Sequence, residues 1–573
     1  MSIRSSENRY NMLNTTYGYD SLDRVTDVTY PAQFGITTIG KTVHHNFDIA
    51  SRFAELKYDG ANFAANQVYN AAEQTKSLSI GSQVTENYTF DAQTGLLTNQ
   101  QVLKGTTALL NLDYNYTTNN ATGNVGAKTG QLTFVKDNLN QDRNRSYGYD
   151  KLGRLTTANG GITAPKTWNQ TYTYDRFGNR TSVTSSGKDA SNYTVALDGL
   201  ASVSYNTANN RSNSAGFVYD PAGNQIQTSE NGVSKNFQYD AAGRLVKILN
   251  ASNQQIGCNI YGASNQRLIF IEGLAGAQTT TYYAWDGGSV VAEYSLVGTN
   301  GLQWNKGYVY LGGRLLASLT NTSGTVTTQF QHPDRLGTRL TTDTSGTLLS
   351  ENVNLPFGTS LPNATSLNGS GQPTQGEGYL PSGANQSTKK RFTSYDRSAS
   401  TGLDYAVNRH YSSLQGRFTQ VDPIGMRATS LSDPQSLNLY AYCGNDPINF
   451  TDPDGLFSLK SIFGFIGKVL RFTFKVIAVI LVALTVLIAT PLAALILLLL
   501  AAIFGIAGWH NGKLGNIVRL GISIGKNNYG GFTTPPINGV SGVSNFLQSS
   551  PREGRDYVRT TLINGKFIRV CPT

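Results

Sequence analysis

The sequence predicts a mainly β protein assembled from antiparallel β-hairpin repeats. Three observations predict it. The 573 residues include 60 Gly, 31 Tyr and 24 Phe but only 14% charged residues, a composition that favours short strands and turns over helices. Apolar residues make up 39% of the chain, enough for a core, which excludes a disordered chain. The third is a short motif that recurs at hairpin spacing.

The motif reads aromatic, any residue, Tyr, Asp, two residues, Gly, then Arg or Asn. Its clearest copies are Tyr147-Gly-Tyr149-Asp150-Lys-Leu-Gly153-Arg154, Tyr172-Thr-Tyr174-Asp175-Arg-Phe-Gly178-Asn179, Phe217-Val-Tyr219-Asp220-Pro-Ala-Gly223-Asn224 and Phe237-Gln-Tyr239-Asp240-Ala-Ala-Gly243-Arg244; weaker copies begin at Tyr17, Tyr88 and Tyr308. Alternate aromatics lie on one face of a strand. Asp then accepts turn N–H groups, Gly supplies a positive φ, and a run such as Arg244-Leu245-Val246 opens the return strand. A lone hairpin is marginal in water, so the units must join edge to edge. Residues 1–325 are read as this repeat array.

Residues 326–456 carry different marks. Phe330-Gln-His332-Pro-Asp334-Arg-Leu336-Gly337 and Pro356-Phe357-Gly358 are followed by Asn408-Arg409-His410-Tyr411, Gly416-Arg417-Phe418, Asn438-Leu-Tyr440-Ala-Tyr442-Cys-Gly-Asn445-Asp446-Pro447, and two Asp-Pro-x-Gly sequences, Asp422–Gly425 and Asp452–Gly455. Taken alone, Asp-Pro-x-Gly is turn chemistry, Pro setting φ and Gly relieving strain. Two carboxylates sharing one proton can also activate a water and protonate a leaving amine, because like charges a few ångströms apart drive their pKa values apart. On spacing alone both readings stand.

With these motifs in place, the chain resembles the YD-repeat (Rhs) family, which includes bacterial Rhs polymorphic toxins, the C components of insecticidal toxin complexes and animal teneurins. The resemblance covers most of residues 10–456, and residues 326–456 are similar to the Rhs repeat-associated core domain. It implies that the repeats spiral into a hollow β-shell, whose closure the sequence leaves open. It also implies that the core module cuts its own chain between Leu456 and Phe457, with Asp422 and Asp452 as the acid pair and Arg409 as the essential arginine. Gly425, Tyr440, Tyr442, Asn445, Pro447 and Gly455 are then the structural residues of the core motif. One departure stands out: 30 positions separate the two aspartates, with Met426 to Gln435 reading as an inserted loop. His332 and His410 are assigned to structure, since no further ligand stands at a metal-site spacing. No phosphate-loop, dinucleotide or Gly-x-Ser-x-Gly signature occurs, so neither metal nor cofactor is expected.

Beyond Leu456 the composition changes abruptly. Within residues 457–510, Val476 to Ile503 is interrupted only by Thr485, Thr490 and Pro491, and about 20 such residues suffice to cross a hydrocarbon core. A single apolar helix of this length must tilt or kink, with Pro491 as the kink; a hairpin turning there is the other reading. Lys468, Arg471 and Lys475 precede the run while Lys513, Arg519 and Lys526 follow it, which leaves its orientation open. The formal charge of +10 resides in residues 457–573, where twelve Lys and Arg face Glu553 and Asp556; the body is neutral overall. Residues 511–573 read as a variable, solvated basic tail, and nucleic acid is not expected as a partner. Cys258, Cys443 and Cys571 are few and far apart, so no disulfide framework is indicated. Met1 to Asp20 lacks the apolar stretch of a secretory signal.

The expectation is therefore a bacterial Rhs-type toxin or effector-like protein. Its shell would enclose or present its own C-terminal region as cargo, released by aspartyl-type self-cleavage after Leu456. A membrane would be met through residues 476–503, and the resemblance adds an immunity protein and secretion machinery as partners. The protein itself would be membrane-associated, secreted or held in the cell envelope of a bacterium. Two alternatives remain at this stage: a membrane-anchored surface adhesion protein that is never cut, and the C-terminal remnant of a longer Rhs protein.

Overall fold

In the Tyr147 unit, the Asp150 carboxylate accepts the backbone N–H groups of Leu152 (2.9 Å) and Arg154 (3.0 Å) as well as Arg154 Nε (2.7 Å). Gly153 sits at φ +79°, where an L side chain is strained. The strand pair then slips: Gly148 pairs with Thr157 but Tyr149 with Leu155, a bulge that increases local twist. Each unit also grips its neighbour. The hydroxyls of Tyr149, Tyr174, Tyr239 and Tyr261 donate to the carbonyls of Leu132 (2.7 Å), Leu155 (2.6 Å), Gln225 (2.9 Å) and Leu245 (2.8 Å) in the preceding hairpin. In return the turn arginine stacks on the next tyrosine, Arg154 over Tyr174 at 4.9 Å and Arg244 over Tyr261 at 5.2 Å, an attraction between guanidinium and ring face.

The same turn recurs where the motif is degraded. Asp48 holds Ala50 and Arg52 with Ser51 at φ +60°. Asn70 holds Ala72 and Gln74 with Glu73 at +61°, and Asn250 holds Ser252 and Gln254 with Asn253 at +58°.

The computed structural model describes residues 2–4, 10–37, 40–117, 130–162, 164–190, 192–297, 301–361, 389–425, 429 and 434–456. The expected apolar helix, the basic tail, Phe457 and most of the inserted loop lie outside the described residues. Hairpin by hairpin, the strands add in chain order to two antiparallel meanders. One has fourteen strands, from Thr16–Tyr19 to Arg180–Gly187; the other has thirteen, from Val218–Tyr219 to Leu348–Glu351. Neither closes into a barrel among the described residues. The described residues contain no α-helix, only short 3-10 turns such as Gln141–Arg143 and Pro434–Leu437, and no helix among them is long and apolar enough to cross a membrane.

The two meanders share one core. Val43, Leu56, Val102, Leu110 and Leu155 of the first cluster with Tyr294, Trp304, Val309, Leu316 and Phe330 of the second, as alternation of apolar residues onto one face requires. A buried polar joint crosses the same contact. Arg314 grips Glu86 with two nitrogens (2.6 and 2.7 Å), and His332 stands between Glu86 (2.8 Å) and Thr342 (2.9 Å). Burial pushes the Glu86 pKa up, but Arg314 and His332 outweigh it and hold the carboxyl down at about 2.

The second meander runs past the 325/326 division before the chain turns into a four-stranded sheet, Asp396–Arg397, Asp404–Tyr405, His410–Ser412 and Arg417–Phe418. Phe392, Tyr395, Tyr411, Phe418 and Tyr442 form the core of this module. Its last segment lies along the turns of the repeats. Gln435 donates to the Leu152 carbonyl (3.0 Å), Asn445 to Gly178 (2.7 Å), Tyr440 to Gly223 (2.7 Å) and Gln420 to Gly243 (2.6 Å). The four clear repeats are thereby bridged from the end of one meander to the start of the other.

Candidate active site

The module's two Asp-Pro-x-Gly turns fold onto one arginine. Arg409 precedes the strand His410–Ser412, with its guanidinium lying 3.6 Å over the Phe418 ring of the neighbouring strand. It is 2% exposed. Every nitrogen of its fork has a partner: Nε donates to the Gly455 carbonyl, Nη1 to the Leu439 carbonyl (2.9 Å), and Nη2 lies 3.3 Å from both Asp422 Oδ2 and Asp452 Oδ2. The structure therefore brings Asp422, Asp452 and Arg409 together, the two carboxylate oxygens meeting across a single nitrogen. The intervening loop does not hold them apart. Pro434–Leu437 returns the chain to the repeats, and Asp422 N–H then pairs with the Leu439 carbonyl (3.1 Å).

Each aspartate also holds its own turn. Asp422 accepts the Ile424 N–H (3.0 Å), and Gly425, at φ +56°, donates its N–H to the Asp422 carbonyl (2.8 Å). Asp452 Oδ1 accepts the Leu456 N–H (2.9 Å), while the Tyr395 hydroxyl donates to the Asp452 carbonyl. Gly455 is at φ +71°, and a Cβ there would stand 2.7 Å from the Ala406 carbonyl oxygen, so the second turn admits no side chain at that position. The consequence is that the Gly455–Leu456 peptide is gripped at both ends, its carbonyl by Arg409 and its N–H by Asp452. Leu456 is thus at the site; Phe457 lies outside the described residues.

The electrostatics separate the partners. Asp422 is 3% exposed; burial raises its pKa above the ordinary carboxyl value, against the opposing pull of Arg409. Burial likewise lowers the Arg409 pKa, although both carboxylates oppose it. Such a cluster can hold one proton between two acids beside a fixed positive charge.

The remaining motif residues serve the docking of the module. Tyr440 and Asn445 make the turn contacts above, Asn445 at φ +66°; Tyr442 is fully buried and its hydroxyl donates to Thr393 Oγ1 (3.4 Å), and Pro447 is buried. His332 is in the buried joint, and His410, buried against Tyr405, has its pKa pushed down to about 3 by burial. Among the described residues no group of His, Cys, Asp or Glu is arranged to hold a metal. Tyr395 and Phe418 stand in the motifs of the module, but the sequence assigns neither of them, nor Leu439, the role the structure gives them, which is to orient the arginine and the second turn.

No family model matches the chain. It is 28% identical over 301 residues to the tRNA3(Ser)-specific nuclease WapA of Bacillus spizizenii, an overlap of 50% of this chain and 11% of that protein. Among solved structures it is similar to TcdB2-TccC3-TEV (TM-score 0.58) and to the Photorhabdus luminescens Tc holotoxin pore (TM-score 0.60). Each is 19% identical, with 77% and 78% of this chain covered and 21% of the other chain in both cases. The chain spans about a ninth of the curated relative and about a fifth of these solved chains. The described residues share the mainly β, antiparallel fold of these solved structures.

Proposed function

We propose that this chain is an Rhs-type, toxin-associated YD shell whose core module cuts its own backbone after Leu456 and so frees the C-terminal region. The observation that carries the proposal is the meeting of Asp422 and Asp452 on Arg409 Nη2, with Asp452 already bonded to Leu456 N–H. In this reading Asp422, the acid whose pKa burial raises, holds the proton. A water between the carboxylates adds to the Leu456 carbonyl carbon and gives up a proton to Asp452. Asp422 then delivers its proton to the Phe457 nitrogen as the C–N bond breaks, leaving a neutral Phe457 amine and a Leu456 carboxylic acid that returns its proton to Asp422. Arg409 fixes the preceding peptide through the Gly455 carbonyl and keeps both acids in place. The freed region, with its apolar stretch 476–503, would then act at a membrane. The 19% identical toxin structures support the shell reading through fold alone.

Intact mass of the purified full chain tests this directly. Two pieces, residues 1–456 and 457–573, are expected, with Asp422→Asn and Asp452→Asn each leaving one uncut chain. A wild-type chain that stays whole would overturn the scission and favour an anchored, uncut shell.

A further inference from the structure

A cavity of about 520 Å³ lies where the second meander meets the core module. That volume is within the range of small-ligand sites. Three arginines line it, Arg267, Arg314 and Arg335, together with Lys390, Trp285 and Tyr283. The polar chemistry of these walls is incomplete. Arg267 Nε, Arg314 Nε and Arg335 Nη1 are buried nitrogens without a hydrogen-bond partner, and a buried cationic donor whose bond is unmade is unfavourable. Arg267 is only 3% exposed, and its Nη2 is engaged by Asp396 (2.5 Å) and Tyr283 (3.3 Å). Its Nε–H is the donor left over.

Acceptors within the cavity do not meet this demand. Asp396 and Asp334 are its two lining carboxylates; the first is committed to Arg267, and the second accepts the Leu336 N–H (2.7 Å). Arg314 directs its other nitrogens away to Glu86 and the Gln331 carbonyl. The backbone adds an independent sign. Thr393 (φ +47°), Ser394 (φ +67°) and Val407 (φ +61°) all line the same space. Left-handed backbone is unusual for any non-glycine residue and an outlier for a β-branched one, and such strain clusters at ligand sites.

We infer that this cavity binds a small oxyanion-bearing ligand, a phosphate or carboxylate compound, held by Arg267, Arg314 and Arg335 and flanked by the Trp285 and Tyr283 rings. Guanidinium donors match both anion types. The aromatic wall favours a ligand with a planar or apolar body over a bare ion. Thr451 and Pro453 also line the cavity, so an occupant touches the residues on either side of Asp452. The inference rests on the cavity's own chemistry and stands whether or not the chain is cut.

Trp285, one of four tryptophans in the chain, gives the readout. Fluorescence of the full-length protein titrated with pyrophosphate and, separately, with citrate should change saturably with at least one of them, and sodium chloride at matched ionic strength should give no such change. The preferred anion distinguishes phosphate from carboxylate. The signal should vanish in Trp285→Phe. In Arg335→Ala the midpoint should rise at least tenfold, with Arg335→Lys recovering part of it, in proteins whose near-ultraviolet circular dichroism matches the wild type. No saturable change with either anion, or a midpoint untouched by Arg335→Ala, overturns the site.

Discussion

Arg409 is held by contacts that only a planar fork can make together. Its Nε, Nη1 and Nη2 face different partners while the Phe418 ring covers the guanidinium plane. Lysine has the charge but neither the fork nor the flat face. In Arg409→Lys one point charge must choose between the carboxylates and the Gly455 carbonyl, so the Gly455–Leu456 peptide is no longer fixed. Loss of a positioned donor of this kind costs about 10²–10³ in rate. Scission in Arg409→Lys, followed as the appearance of the 457–573 piece after refolding, should be slowed by about that factor; an unchanged rate would reduce the arginine to a mere counter-charge. At this scale the sequence was informative about identity and silent about support. That Arg409, Asp422 and Asp452 would meet was legible because their motifs resemble a known module. The contacts of Tyr395 and Leu439 were not, because a hydroxyl on a carbonyl and a carbonyl under a guanidinium leave no spacing rule along the chain.

The repeating hairpin depends on an acceptor at the turn more than on a negative charge. Asp150 takes two backbone N–H groups and the Arg154 side chain, and at the equivalent place Asn70 takes the same two kinds of backbone donor. Asp150→Asn should therefore be nearly neutral, whereas Asp150→Ala strands two turn donors and should destabilise the protein by about 1–3 kcal/mol. Denaturant midpoints of the two variants against the wild type measure this, and equal losses would show that charge, not acceptance, matters. The same comparison explains what was readable at this scale. The Tyr-Asp pattern with Gly153, Gly178, Gly223 and Gly243 gave the mainly antiparallel hairpin architecture directly. Units with Asn for Asp, or with Ser51, Glu73 or Asn253 at the left-handed position, escaped it. Their turn bonds follow the same pattern, but the residue that marks it is not the same. What the tyrosine does was equally hidden, since its hydroxyl bonds to the preceding hairpin, 14 to 19 positions away in the units described.

At the scale of the whole molecule, stability depends on how the two meanders are joined, and the Glu86 joint makes that junction sensitive to acid. Glu86 is fully buried between Arg314 and His332, and its pKa is depressed from 4.5 to about 2 because these partners outweigh the cost of burial. A carboxyl depressed in the folded state adds stability that is fully present above its unfolded pKa and is lost as pH falls through the folded one. Here the window runs from about pH 4.5 down to 2, and the shift corresponds to about 3 kcal/mol. Asp198 works in the opposite sense: buried beneath Tyr172 and Phe357, its pKa is raised from 3.8 to about 6 by burial. Its contribution is present below pH 3.8 and falls away as pH rises towards 6. Below pH 3.8 Asp198 is therefore close to constant, and the Glu86 joint continues to weaken. Glu86→Gln keeps the size of the side chain but removes the titration. The stability difference between wild type and Glu86→Gln should hence narrow by about 2–3 kcal/mol between pH 5 and pH 2.5, read from denaturant unfolding followed by tryptophan fluorescence, to which the inter-meander Trp304 contributes. A gap that stays constant across this range would mean that the contact between the meanders is carried by their apolar core alone.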